Sequence, residues 1–400
     1  MSLLAKRMQV VKPSPSMAVS QAAKKLRSEG IDVIDLGLGE PDFNTPDHII
    51  EAAHRAARDG DTRYTATGGA PTTKAAVAAK FAGENGLEFA PDEIVVANGA
   101  KQIIFNALMA TLEIGDQVVL AAPYFVSYPD MVLMLGGEPV VVDCPRSAGF
   151  KLTPETLEAA LTPMTKWVIL NTPCNPSGAV YSEKELQALG NVLDKYPDAL
   201  ILSDEIYEHI VFDGLEFVSF GKACPELRER TLIVNGVSKA YAMTGWRIGY
   251  GAGPAALIKG MTTVQSQSTT NACSIAQAAT VAALNGPQDE VATFRRAFEK
   301  RRDLVVDGIS SIEGLVLEPP KGAFYAYIDC SAVIGKRTVG GTTLTDDASF
   351  TQYLLNEGQV AAVPGSAYGL SPYFRLSTAT SEDNLSTAVE RIRTAVAALS

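Results

Sequence analysis

The chain has 400 residues, 46% of them hydrophobic, enough to bury a large core and more than one ordinary domain needs. Its formal net charge is −11, from 45 acidic against 34 basic residues, and this opposes nucleic-acid binding, which needs a basic face. A pocket can still be locally cationic, so small anionic substrates stay open.

No uninterrupted apolar run reaches membrane-spanning length, and the N-terminus lacks a long apolar core followed by a cleavage site. A cytoplasmic protein without membrane contact is expected. Cys144, Cys174, Cys224, Cys273 and Cys330 are odd in number and never in Cys-x-x-Cys spacing, which points to reduced thiols and away from structural zinc. His48, His54 and His209 compose no metal-ligand set, so no metal is expected.

In chain order, an apolar strand at 93–97 leads through Asn98-Gly-Ala-Lys-Gln102 into a helix over 103–112. Backbone amides and the helix dipole at such a junction face an anion. Gly99 permits close backbone approach, Ala100 and Lys101 offer amides, and Lys101 adds a charge; a plain strand-to-helix turn is the ordinary alternative. A strand at 117–121 leads to Pro123-Tyr-Phe-Val-Ser-Tyr128, and strands at 138–142 and 167–170 follow. The second of these runs into Asn171-Thr-Pro-Cys-Asn-Pro-Ser-Gly178, a tight turn able to present Asn175. The strand at 200–203 ends in the carboxylate of Asp204, with Tyr207 three residues on. Strands at 231–234 and 247–251 complete the set. Short apolar runs separated by helical segments imply an α/β fold with a mostly parallel central sheet and helices on both faces.

The texture changes at 289–312, a long helical stretch carrying Arg295, Arg296, Lys300, Arg301 and Arg302, read as a solvated face. A strand at 323–328, helices at 348–357 and 382–399, and a glycine-rich loop at 335–341 read as a smaller α+β domain. The expected boundaries are residues 1–45 as an N-terminal segment joining the small domain, 46–288 as a large domain, and 289–400 as the small domain.

Chemistry concentrates at Lys239, in Gly236-Val-Ser-Lys-Ala-Tyr-Ala-Met-Thr-Gly-Trp-Arg-Ile-Gly249. A lysine among small and apolar residues loses the hydration that favours its charged form and becomes a nucleophilic amine. Arg247, eight positions on, is a fixed cation suited to a phosphate. An amine that condenses with an aldehyde, beside a phosphate clamp, suggests pyridoxal phosphate. That cofactor needs an acidic partner for its ring nitrogen and a donor at its phenolic oxygen, for which Asp204 and Tyr207 are the candidates. Taken alone, Lys239 could snorkel to water and Asp204 could cap a helix. Four such features in a workable order make coincidence a poor account.

Asn-Pro-Ser-Gly178, Asp-Glu-Ile-Tyr207, Ser-Lys239 with Arg247, and Phe-Arg-Leu-Ser377 occur in the order and spacing of the class I aminotransferases, fold-type I pyridoxal phosphate enzymes. From about residue 11 to the end, the chain resembles their bacterial aspartate aminotransferase branch, which includes bifunctional aspartate/prephenate enzymes. The resemblance implies that Lys239 holds the cofactor and moves the substrate proton, and that Arg375 binds the substrate α-carboxylate. Gly39, in Gly37-Leu-Gly-Glu-Pro-Asp42, becomes a substrate-side backbone contact, and Asn175 serves both cofactor and substrate. Tyr64 reaches the cofactor phosphate across a subunit interface, so a homodimer with shared active sites is implied. Lys12 matches a basic position associated with dicarboxylate and prephenate use, with Lys101 as the competing choice. Phe125 stands where the branch commonly has a tryptophan stacked on the cofactor, and Gly236 stands where some relatives have a phosphate-binding serine. The implied reaction is amino transfer between L-aspartate or glutamate and a 2-oxo acid, with prephenate as a further acceptor. Transamination of aromatic or other amino acids, or a lyase reaction on the same scaffold, is the alternative.

Overall fold

A computed structural model describes residues 3–400. The central sheet has seven strands: β1 (Ile94–Ala97), β2 (Gln117–Ala122), β3 (Glu138–Asp143), β4 (Thr165–Asn171), β5 (Leu200–Asp204), β6 (Thr231–Gly236) and β7 (Gly249–Ala252). Their spatial order is β1-β7-β6-β5-β4-β2-β3. Only β7 is reversed, pairing antiparallel with β1 and β6; the other neighbours pair in parallel. Parallel strands need crossover segments, and the helices in those segments cover both faces, so the strands are apolar throughout rather than alternating.

Successive side chains on a strand point to opposite faces. In β1, Ile94 and Val96 enter a core shared with helices Asp47–Arg58, Pro71–Lys80, Glu183–Leu193 and Ser274–Asn285. Val95 and Ala97 enter the opposite core, against helices Ala100–Thr111 and Ala255–Ser266. The edge strand β3 is half solvated, with Val141 43% exposed. No helix among the described residues is long and apolar enough to cross a membrane.

The strand expected at 247–251 begins two residues later. Arg247 lies outside it, at φ 58° in the left-handed region, after the 3-10 turn Thr244–Trp246. Trp246 Nε1 donates to Thr45 Oγ1 at 3.0 Å and pins that turn away from the ladder. The ladder starts at Gly249, where a Cβ would sit 2.1 Å from the Ala100 nitrogen.

A second sheet orders β8 (Tyr325–Asp329), β9 (Val363–Pro364) and β10 (Tyr373–Ser377) as β9-β10-β8, all antiparallel. Helices Asp289–Ser310, Asp347–Asn356 and Glu382–Ala397 enclose its core with Ile34 and Leu36. Ile34–Asp35 pairs in parallel with Val360–Ala361, which ties the N-terminal segment to this region.

The basic run on Asp289–Ser310 is only half a solvated face. Arg295, Arg296 and Lys300 are exposed, but Arg301 and Arg302 are buried. Arg301 makes a two-pronged bond to Asp42 (2.7 and 3.0 Å), and Arg302 binds Asp213 at 2.6 Å. Their guanidinium groups lie 4.9 Å over the rings of Phe43 and Phe212 respectively. A charge count places such residues at the surface; paired carboxylates and aromatic faces are what allow these two inside.

Candidate active site

The carboxyl ends of β4, β5 and β6 open on a cavity of about 460 Å³, where open α/β sheets place ligands. Lys239, Asp204, Tyr207, Asn175 and Arg247 line it, with Gly39, Ala100, Lys101, Phe125 and Arg375. Ten candidates scattered from residue 39 to residue 375 thus meet in one place.

Lys239 follows β6. Its Nζ donates to the Gly39 carbonyl at 2.6 Å and stands 5.8 Å from the Tyr207 ring centroid and 5.7 Å from that of Phe324. Burial, with Arg375 and Arg247 adding to it and Glu40 and Asp204 opposing, lowers its pKa to about 8. The amine therefore loses its proton more readily than an ordinary lysine and reaches half neutral near pH 8.

Asp204 closes β5 and is buried. Tyr128 donates its hydroxyl hydrogen to Asp204 Oδ2 at 2.6 Å, and the Ile206 amide approaches Oδ1 at 3.4 Å. Burial pushes its pKa up to about 6 against those bonds and the pull of Lys239. No helix begins here, so Asp204 is not acting as a helix cap. A buried carboxylate held this high lacks a full positive partner, which a protonated ring nitrogen would supply.

Another part of the lining is cationic. Gly99, at φ 91°, caps helix Ala100–Thr111, and a Cβ there would come within 2.4 Å of Arg247 Nη2. Gly99 therefore belongs to the wall behind the lining residues. Arg247 is held by the Thr244 carbonyl at 2.8 Å and the Asn98 carbonyl at 3.3 Å. Lys101 Nζ lies 5.2 Å over the Phe125 ring, and burial followed by the Arg247 charge lowers its pKa. A helix N-terminus, a guanidinium and an ammonium together suit a phosphate.

Arg375 is 2% exposed. It donates to Asn175 Oδ1 at 2.9 Å and to the Gly37 carbonyl, and its Nε has no partner. Its guanidinium sits between two rings, 4.4 Å from the Tyr325 centroid and 5.1 Å from that of Tyr368.

Two sequence candidates fall elsewhere. Tyr64 is 90% exposed and outside the cavity. Lys12 is exposed and lines a neighbouring cavity of about 490 Å³, which shares Ser14, Lys101, Val126 and Arg247 with the first. Its backbone amide approaches Asp130 Oδ1 at 3.3 Å. Gly236 is buried inside β6, its amide taken by the Asn235 side chain at 2.7 Å, while Ser238 lines the cavity instead.

The sequence reading missed Tyr128, Ser238 and Tyr325. Tyr128 stands three residues after Phe125 and Ser238 immediately precedes Lys239, so proximity was an available signal for both. Tyr325 lies in an apolar strand and carried none.

The family described as aminotransferase class I and II matches residues 31–392. The chain belongs to that family. It is 53% identical over 400 residues to an aspartate/prephenate aminotransferase of Cereibacter sphaeroides, covering 100% of both chains. It is 52% identical over 396 residues to an aspartate aminotransferase of Rhizobium meliloti, covering 99% of this chain and 97% of that one. The crystal structure of the aspartate aminotransferase from Rhizobium meliloti superposes with a TM-score of 0.97 at 51% identity and full coverage of both. The Thermus thermophilus aspartate aminotransferase with maleate gives 0.92 at 43% identity, covering 99% of this chain and 100% of that one. The class I and II chain described here is an aminotransferase, with amino acids and 2-oxo acids as its substrates.

Proposed function

We propose that this aminotransferase binds pyridoxal phosphate at Lys239 and moves an amino group between L-aspartate or glutamate and 2-oxoglutarate or oxaloacetate, with prephenate as a further acceptor. The observation that carries the reading is the placement of Lys239 in one cavity between a buried, under-compensated carboxylate, Asp204, and a three-part cationic pole. The donor set fits the cofactor: Arg247, Lys101 and the amides at Ala100 would hold its phosphate, Asp204 its ring nitrogen, Tyr207 and Asn175 its phenolic oxygen, and Phe125 its ring face. Bound there, pyridoxal phosphate supplies an aldehyde that condenses with amines and a protonated ring that withdraws electrons from the substrate Cα.

The chain's own residues do the rest. Arg375, fixed by Asn175 and Gly37, orients the α-carboxylate. Lys239 Nζ, neutral in a useful fraction near pH 8, takes the proton from the substrate Cα. Asp204 stays ionised against a positive ring and keeps the electron sink in place. For the distal carboxylate we propose Lys12, with Lys101 as its competitor; both line the neighbouring cavity, whose Phe105, Met131 and Met134 give room for a bulky acceptor. Relatives named aspartate/prephenate aminotransferases support prephenate as an acceptor.

The exposure of Tyr64 supports a homodimer in which it reaches the partner's phosphate pole. Five unpaired cysteines, four of them buried, support a cytoplasmic setting. We assign residues 1–45 and 289–400 to a small domain and 46–288 to a large one, on the pairing of Ile34–Asp35 with Val360–Ala361. The test is a panel of amino donors and 2-oxo acceptors, prephenate included, followed by single-turnover spectra. Rapid half-reactions with aspartate and glutamate are expected; spectral change only with monocarboxylic donors would overturn the substrate assignment.

A further inference from the structure

Tyr325 has no task in the scheme above, although it touches both ends of the cavity. Its hydroxyl lies 2.7 Å from that of Tyr207, and its ring carries the Arg375 guanidinium 4.4 Å from the centroid. In the β8–β10 ladder, Arg375 is opposite Tyr327 and Ser377 is opposite Tyr325, so Tyr325 and Arg375 are diagonal neighbours on one face of the second sheet. Tyr207 belongs to the first sheet's edge of the cavity, so the hydroxyl pair bridges the two sheets. At Gly39, a Cβ would stand 2.1 Å from the Tyr325 hydroxyl oxygen, and the Gly39 carbonyl accepts from Lys239. Glycine at 39 is therefore what admits this hydroxyl beside the lysine.

We propose that Tyr325 is a positioning residue: its hydroxyl orients the Tyr207 hydroxyl toward the cofactor while its ring seats Arg375 for the substrate carboxylate. The inference rests on the functional reading above. Either hydroxyl can donate in the pair. Burial raises both phenols, Tyr207 well above the ordinary range, and the nearby Arg375 charge opposes the rise in each. With Tyr325 as the donor of the pair, the Tyr207 O–H is free to point into the cavity. A hydroxyl that accepts one hydrogen bond donates a better one.

Two variants separate the two tasks. Tyr325→Phe keeps the ring under Arg375 and removes the hydroxyl. Weakening the Tyr207 donor leaves the cofactor's phenolic end more basic, so the bound group holds its proton to higher pH. In the protein loaded with pyridoxal phosphate, the midpoint of the visible absorption change with pH should rise by about half a unit or more. The same variant should lose about 10-fold in kcat with less than about 3-fold change in KM for the amino donor, and unfold at the wild-type temperature. Tyr325→Leu, which also removes the ring, should raise that KM by about 10-fold or more. An unchanged absorption midpoint and kcat in Tyr325→Phe, or an unchanged KM in Tyr325→Leu, overturns the proposal. So does a fall in unfolding temperature that accounts for the lost activity. If the wild-type protein takes up no pyridoxal phosphate, the functional reading itself fails.

Discussion

Tyr128 donates its hydroxyl hydrogen to Asp204 Oδ2 across 2.6 Å, with both side chains closed off from solvent. One neutral donor does not offset the burial of a carboxylate, and the Asp204 pKa stands at about 6 as a result. On the function proposed above, a positive ring nitrogen would be the partner that offsets this burial.

Removing the carboxylate should therefore remove the electron sink. Asp204→Ala is expected to lower kcat by several orders of magnitude, ~4 kcal/mol or more of transition-state stabilisation. Tyr128→Phe, which deletes only the hydrogen bond to it, should cost about 1–2 kcal/mol. Steady-state kcat at saturating pyridoxal phosphate measures both. Near wild-type turnover in Asp204→Ala would reduce that residue to a structural part.

The distal-carboxylate assignment makes a prediction about selectivity. Lys12→Ala should weaken aspartate, glutamate and prephenate by on the order of 1.5–3 kcal/mol in kcat/KM and leave an aromatic or apolar donor nearly unchanged. Parallel measurements on Lys101→Ala distinguish the two cations lining the neighbouring cavity. An equal loss for every donor in Lys12→Ala would assign that lysine to the N-terminal arm and pass the role to Lys101.

Glu205, next to Asp204 in sequence, predicts a pH-dependent stability. Its Oε1 accepts from Ser203, Ser219 and the Phe220 amide, while its fully buried Oε2 has no partner. Burial first and Glu208 second push its pKa from 4.5 to about 7. The folded state then keeps a proton that the unfolded chain releases, so stability falls as pH rises across that window and the full penalty stands above it. Glu205→Gln keeps the acceptor and removes the charge. It should stabilise the protein by on the order of 1–3 kcal/mol at pH 8 and change little at pH 4.5. Thermal unfolding at the two pH values decides it, and equal shifts at both would contradict the assignment.

The sequence made the sheet legible because strands buried on both faces are written as continuous apolar runs, and β1 to β6 stand within a few residues of where those runs lie. Arg247 was placed inside the last run because the turn that excludes it depends on Thr45, a residue 201 positions away from Trp246 in the chain. Lys239, Asp204, Asn175 and Arg375 were legible because each breaks an apolar context with a charge or a punctuated turn. Tyr325 was not, because an aromatic in an apolar strand reads as core, and its partner Tyr207 is 118 residues away. Arg301 and Arg302 were misread for a related reason: the carboxylates of Asp42 and Asp213 that let them be buried are brought in by the fold.

Lys239 is the residue proposed to carry pyridoxal phosphate. Reducing the loaded protein with borohydride, digesting it and locating the modified peptide by mass spectrometry tests this directly. A single label on Lys239, none in Lys239→Ala, and loss of essentially all transamination in that variant are expected. A label on another lysine, such as Lys101, or near-normal turnover in Lys239→Ala, would contradict it.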